Sequence, residues 1–167
     1  MKWLLVIVAV LVGLVVIMLV IGSLLPRDHV ASSSLVLRQP RDTVWKVVRD
    51  FANTASWWGE VKSSQRTPDS AGRELWEQKL KHGTMRLIIT EDVPPRRLVT
   101  TIDAPADAAF GGTWTYELSE AEGGTRLTLT ERGYINNRLF RFMARFIFGY
   151  HATMEGYLEA LGKRFGQ

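Results

Sequence analysis

"RLFRFMARFIFGYHATM", residues 138–154, packs three arginines and five large aromatics into seventeen positions. Leu139, Met143, Phe146, Ile147, Tyr150 and Met154 recur at helical spacing, and Leu158, Leu161 and Phe165 continue the stripe. The opposite side carries Arg138, Arg141, Arg145, Glu155 and Glu159. The spacing predicts a single amphipathic helix of about 27 residues, capped by Asn136 or Asn137. Its polar side is too charged for a membrane span, so the apolar stripe needs a protein surface to cover.

That surface is legible upstream. Strand-like runs follow one another between turn residues: "EVKSSQRT", "GRELWEQKL" after "PDSAG", "TMRLIITEDV", "RRLVTTIDA" after "PP", "GTWTYELSEA" and "TRLTLTERGYI". Trp114, Tyr116 and Leu118 share one face of their strand, as do Leu127, Leu129 and Glu131 of the next. "VASSSLVLRQ" (30–39) reads as a first strand. "PRDTVWKVVRDF" reads as a short amphipathic helix, and "ANTASWWG" as a second helical turn. The order predicts an α+β domain: a curved antiparallel sheet of six or seven strands around the long C-terminal helix. A bent sheet gripping one helix leaves room at one end, and such room is commonly an apolar pocket.

From Trp3 to Leu25 there is no Asp, Glu, Lys, Arg, Asn, Gln or His. As a helix these 23 residues would measure about 34 Å, against a hydrocarbon core of roughly 30 Å. The run exceeds the h-region of a secretory signal, and "IGSLLPRD" has no small-x-small cleavage site. A retained single-pass anchor in the cell membrane over 1–26 is therefore expected, with a cleaved signal as the alternative. A tether over 27–34 and the domain over 35–167 would follow. Arg27, Arg38 and Arg41 beyond the run outweigh Lys2 before it, a slight lean towards a cytoplasmic domain. The net charge of +4 gives no case for nucleic acid, and nothing demands more than a monomer. The chain has no cysteine, which excludes disulfides and thiol chemistry.

The phrases "PRDTVWKVVRDF" followed by "WWGEV", then "PPRRLVTTI", then "GGTWTYELSEAEGGTRLTLTERG" resemble the START-like helix-grip superfamily. The likeness is to its polyketide cyclase/dehydrase and lipid-transport (SRPBCC-type) branch, and it extends over about residues 30–165. It implies a hydrophobic cavity between sheet and C-terminal helix. It implies no cofactor and no catalytic motif common to all members.

His29, His82 and His151 are isolated from one another in sequence, so no metal site is expected. No G-x-S-x-G is present, and the glycine pairs read as strand turns. Weak acid–base candidates are Glu131, which alternates in phase with inward leucines, and Tyr134 and His151. The strongest signal is aromatic. Trp57, Trp76, Trp114, Tyr116, Met85, Phe146, Tyr150 and Met154 are the candidate ligand contacts, each with core filling as the plainer role. Trp57 and Trp58 stand about 100° apart in a helical turn, which predicts one in the core and one at a rim. Arg138, Arg141, Phe142, Arg145 and Phe148 are candidates for contact with lipid headgroups. The reading is a membrane-anchored module that binds or transports a lipid or other hydrophobic small molecule. The alternatives are a cyclase/dehydratase-type enzyme using the same cavity and a regulatory protein-interaction domain.

Overall fold

The structure is a computed structural model that describes residues 2–68, 71–105 and 107–167. Asp69 and Ser70, within the "PDSAG" turn, lie outside the described residues. An apolar helix α1 (Lys2–Leu24) precedes strand β1 (Asp28–Leu37), helix α2 (Arg41–Arg49) and a 3₁₀ turn (Phe51–Ser56). Six strands follow: β2 (Val61–Thr67), β3 (Leu75–Leu80), β4 (Gly83–Val93), β5 (Arg97–Ile102), β6 (Phe110–Ala121) and β7 (Gly124–Ile135). The chain closes with α3 (Arg138–Met143), a π-helical turn (Ala144–Phe148) and α4 (Ala152–Arg164).

All seven strands form one sheet in the order β1-β7-β6-β5-β4-β3-β2, and every neighbouring pair is antiparallel. Alternation sorts the faces as the sequence predicts. Leu118, Leu127 and Leu129 point inward, against Met154, Tyr157, Leu158 and Leu161 of α4. Val44, Trp45 and Val48 bring α2 onto the same core. The architecture is the START-like helix grip.

Two local expectations give way. The segment from 138 to 164 is not one continuous helix. Asn137 caps it, accepting a hydrogen bond from the Phe140 amide, but the coil loosens to a π turn after Met143 and stops at Gly149. Gly149 has φ 75° and ψ 164°, a conformation that only glycine adopts readily. The reason is packing. α4 must lie on the sheet core, whereas α3 lies against the last turn of α1; Gly22 is buried there, and a Cβ on it would fall 2.0 Å from the Arg138 carbonyl oxygen. One straight rod cannot serve both contacts. Phe146 and Ile147, placed on the buried stripe by spacing, are consequently exposed.

The residues read as a tether are the second departure. Residues 28–34 belong to β1 and pair with β7 from Asp28↔Tyr134 through Ser34↔Thr128. Polar Ser32, Ser33 and Ser34 suggest a linker, yet in the strand Ser32 and Ser34 lie on the exposed face, and Ser33, on the other, meets His151.

α1 is long and apolar enough to cross a membrane, and its side chains are exposed apart from its contact with α3. A signal sequence shares that composition.

An ion network fastens α2 to the sheet. Arg49 donates from both Nη atoms to Glu74, at 3.0 and 2.6 Å, and from Nε to Asp92 at 2.9 Å. The Glu74 carboxylate also accepts from Trp76 Nε1 at 2.8 Å. Hydrogen bonding from Arg49 holds the Glu74 carboxyl below the usual carboxylate range, against the opposing effect of burial. A depressed folded pKa means stabilisation that is complete above the unfolded value and lost as pH falls through the folded one. Glu74→Gln should therefore destabilise the domain by about 1–2 kcal/mol at neutral pH. The gap in melting temperature between variant and native protein should shrink as pH falls below about 4.3.

Candidate functional site

A cavity of about 440 Å³ lies between the sheet, the 3₁₀ turn and the 144–157 region. That volume is within the range of small-molecule sites. Its floor is built by Tyr116 and Thr100 on the sheet and Tyr157 on α4. Leu87, Ile102, Met85, Trp58 and Trp114 supply apolar wall. Phe110, Phe140 and Phe148 also line it while being substantially exposed, so they mark one mouth.

The floor has polar tips without charge. Burial pushes the Tyr116 hydroxyl far above the ordinary tyrosine range, opposed by its hydrogen bond to Thr100, and burial does the same to Tyr157. Both phenols therefore stay neutral at any physiological pH. Trp57, Trp58, Trp114 and Tyr116 meet the Tyr157 ring at centroid distances of 5.2, 5.0, 6.0 and 5.8 Å, all edge-on. This aromatic cluster fixes the rear wall.

Trp114 of this cluster also joins a polar constellation that the sequence only half revealed. The Glu131 carboxylate accepts from Trp114 Nε1 at 2.9 Å and lies 3.0 Å from His29 Nε2. The His29 ring stacks on Tyr150, with centroids 4.3 Å apart and planes at 20°. All four residues line the cavity. Gly133 makes the space: a Cβ there would fall 2.6 Å from His29 Cε1 and 3.1 Å from Glu131 Oε1. Tyr134 lines the cavity nearby, with the Arg27 guanidinium 4.7 Å from its ring centroid.

The other sequence candidates fall as follows. Trp114, Tyr116, Met85 and Tyr150 line the cavity. Trp57 and Trp76 pack against the core outside the lining, and Trp76 stacks on Phe51 at 5.7 Å. Met154 is wholly buried on the inner face of α4. Phe146 is 59% exposed and outside the lining. His151 is exposed, with Nδ1 3.3 Å from Ser33 Oγ. Trp57 and Trp58 both reach the core, and only Trp58 also touches the cavity. Among the arginines proposed for headgroups, Arg138 and Arg145 are exposed, whereas Arg141 donates from Nη1 to the Leu25 carbonyl at 2.8 Å. Phe142 is half-buried and packs on Phe146 at 4.9 Å.

His29 is the residue that sequence reasoning missed, because it fell within the supposed tether. The signal was present: His29, Ala31, Ser33, Leu35 and Leu37 alternate on one face that ends in a core leucine. Among the described residues, no group of three or more His, Asp or Glu could hold a metal ion.

Comparisons with known proteins agree with this geometry. The family model "Polyketide cyclase / dehydrase and lipid transport" matches residues 29–165, and the chain belongs to that family. Its members bind hydrophobic small molecules or act as aromatases and cyclases. The fold is similar to the di-domain ARO/CYC BexL from the BE-7585A biosynthetic pathway, at TM-score 0.68 and 13% identity, covering 84% of this chain and 51% of that one. The chain thus spans about half the length of that di-domain protein. It is also similar to a START superfamily protein from Mycobacterium smegmatis, at TM-score 0.65 and 14% identity, covering 83% and 98%. A third likeness is to the Zhui aromatase/cyclase from a Streptomyces species, at TM-score 0.63 and 12% identity, covering 83% and 94%. At these identities the likeness speaks for the fold alone. No curated protein matches the chain significantly.

Gly133→Ala should drive His29 off Glu131 and cost about 1–3 kcal/mol through overpacking. Proton NMR checks it: the ring-current shift that Tyr150 imposes on the His29 ring should collapse, while the Tyr157 aromatic cluster keeps its native resonances.

Proposed function

We propose that the protein is a membrane-anchored module that binds a lipid or other hydrophobic small molecule in this cavity. The observation that carries the reading is a 440 Å³ space walled by aromatic and aliphatic side chains and floored by two neutral phenols. Burial of roughly 300 Å² of apolar ligand surface contributes about 7 kcal/mol before the costs of association. The phenols and the His29–Glu131 end then orient a polar head, since a ligand group that leaves them unpaired loses affinity. α1 is read as the anchor: its 23 residues match a bilayer, and it packs on the domain that it would hold there. Trp57, Trp76 and Met154 support the aromatic wall from behind, while Trp114, Tyr116, Met85 and Tyr150 face the ligand.

A second reading rests on the Glu131 constellation. A carboxylate oriented by an indole N–H, beside an imidazole, is a serviceable acid–base pair for cyclisation or dehydration of a bound ligand. Tyr134 would be its neighbouring donor, and His151 would have no part.

Met85→Trp should fill the cavity and lower affinity for a dansyl-labelled fatty acid at least about tenfold, read by fluorescence titration in detergent. Native mass spectrometry of the full chain extracted in mild detergent should find co-purifying lipid, absent from that variant. Recovery of added ligand unchanged in mass and chromatographic retention supports the carrier; loss of one water per ligand, or an isomer of altered retention, abolished in Glu131→Gln, supports the enzyme. An empty protein that takes up no apolar probe would sink both.

A further inference from the structure

The 138–149 segment belongs to two surfaces at once. Phe140, Ala144, Phe148 and Gly149 line the cavity. On its outer side Phe146, Ile147 and Phe148 are 59%, 60% and 53% exposed, three consecutive large apolar side chains facing out. Phe110 and Phe140, whose rings are 6.1 Å apart, extend that exposed surface along the mouth. An apolar run of this kind, continuous with a ligand cavity, marks a contact surface.

The position of α1 identifies what covers it. α3 packs on the final turn of α1, where Gly22 closes onto the Arg138 backbone and Arg141 holds the Leu25 carbonyl at 2.8 Å. With 23 residues in α1, a helix of about 34 Å fills a core of roughly 30 Å, so Gly22 lies at the level where the helix leaves the hydrocarbon. The Phe146–Phe148 run is on the same short segment as Arg138, less than three helical turns away. Exposed Arg145 adjoins it and exposed Arg138 opens the same segment, both suited to phosphate groups at that depth.

Resting on the anchored-carrier reading, we infer that residues 140–148 and Phe110 dock into the interface of the bilayer that α1 spans, so that the cavity mouth opens into lipid. The apolar ligand then passes between membrane and cavity without crossing water. Gly149, at φ 75°, is the joint that lets this segment sit at its own angle from α4.

The chain has no cysteine, so single labels report cleanly. Full-length protein in nanodiscs of mixed zwitterionic and anionic phospholipid would carry an environment-sensitive fluorophore on Ile147→Cys, with Val12→Cys in α1 and Glu122→Cys in the far hairpin as references. Quenching by lipid spin-labelled near the headgroup should occur at 147 and not at 122, and lipid spin-labelled deep in the chain should quench 12. The Phe146→Ser, Ile147→Ser double variant, which leaves the cavity lining intact, should load a dansyl-labelled fatty acid from its own bilayer about tenfold more slowly. Its affinity for the same probe in detergent should be unchanged. Quenching at 12 without quenching at 147, or an unaltered loading rate, overturns the portal while the anchor stands. Absence of quenching at 12 removes the anchor and the portal with it. Native protein that fails to bind the probe in detergent removes the carrier reading itself.

Discussion

Everything in this molecule follows from a mismatch of lengths. β6 and β7 each run twelve residues, about 40 Å of extended chain, and their inner face is apolar along most of it. The helix laid across them, α4, has thirteen residues and measures about 20 Å. It covers half of what must be covered. Over that half, Leu118, Leu127 and Leu129 pack with Met154, Leu158 and Leu161 into one buried core, and Tyr157 closes its border with the cavity. Over the other half, the 3₁₀ turn and the 138–149 segment stand around the opening instead of filling it, with Val48 of α2 at its border. The cavity is the uncovered remainder of the sheet.

Sequence periodicity captured the covered half well. Strand alternation placed Trp114, Tyr116, Leu127, Leu129 and Glu131 on the inner face, because a period of two admits only two choices and leucine decides between them. At helical spacing it also found the buried stripe of Met154, Leu158 and Leu161, though as part of one longer helix. It failed where a residue's surroundings come from elsewhere in the chain. Phe146 and Ile147 continue the α4 stripe in phase, and only the contact between α1 and α3 shows why the helix must stop at Gly149. β1 was half-recognised: its serines are typical of a linker, and only pairing with β7 reveals that the same residues are an edge strand carrying His29 inward. A long-range partner, invisible to local pattern, decided both cases.

The site carries two kinds of polarity, joined through the Trp114 indole. Tyr116 and Tyr157 on the floor are phenols kept neutral by burial, fit to orient a ligand and poorly fit to exchange protons. Glu131, with His29 and Trp114, is a carboxylate with both oxygens engaged. The family's description couples cyclases and dehydrases with lipid transport, so one fold hosts both binding and chemistry. Membership by itself therefore favours neither.

The junction between α1 and the sheet has a mechanical meaning. Only residues 25–27 separate the helix from β1, and they are tied down at each end: the Leu25 carbonyl accepts from Arg141, and the Arg27 carbonyl from the Ile135 amide at 2.9 Å. A domain on a slack leash sweeps a hemisphere and can ferry cargo to a facing surface. Here two ties across three connecting residues leave no slack, so α1 and the sheet hold one angle and reorient as a single body.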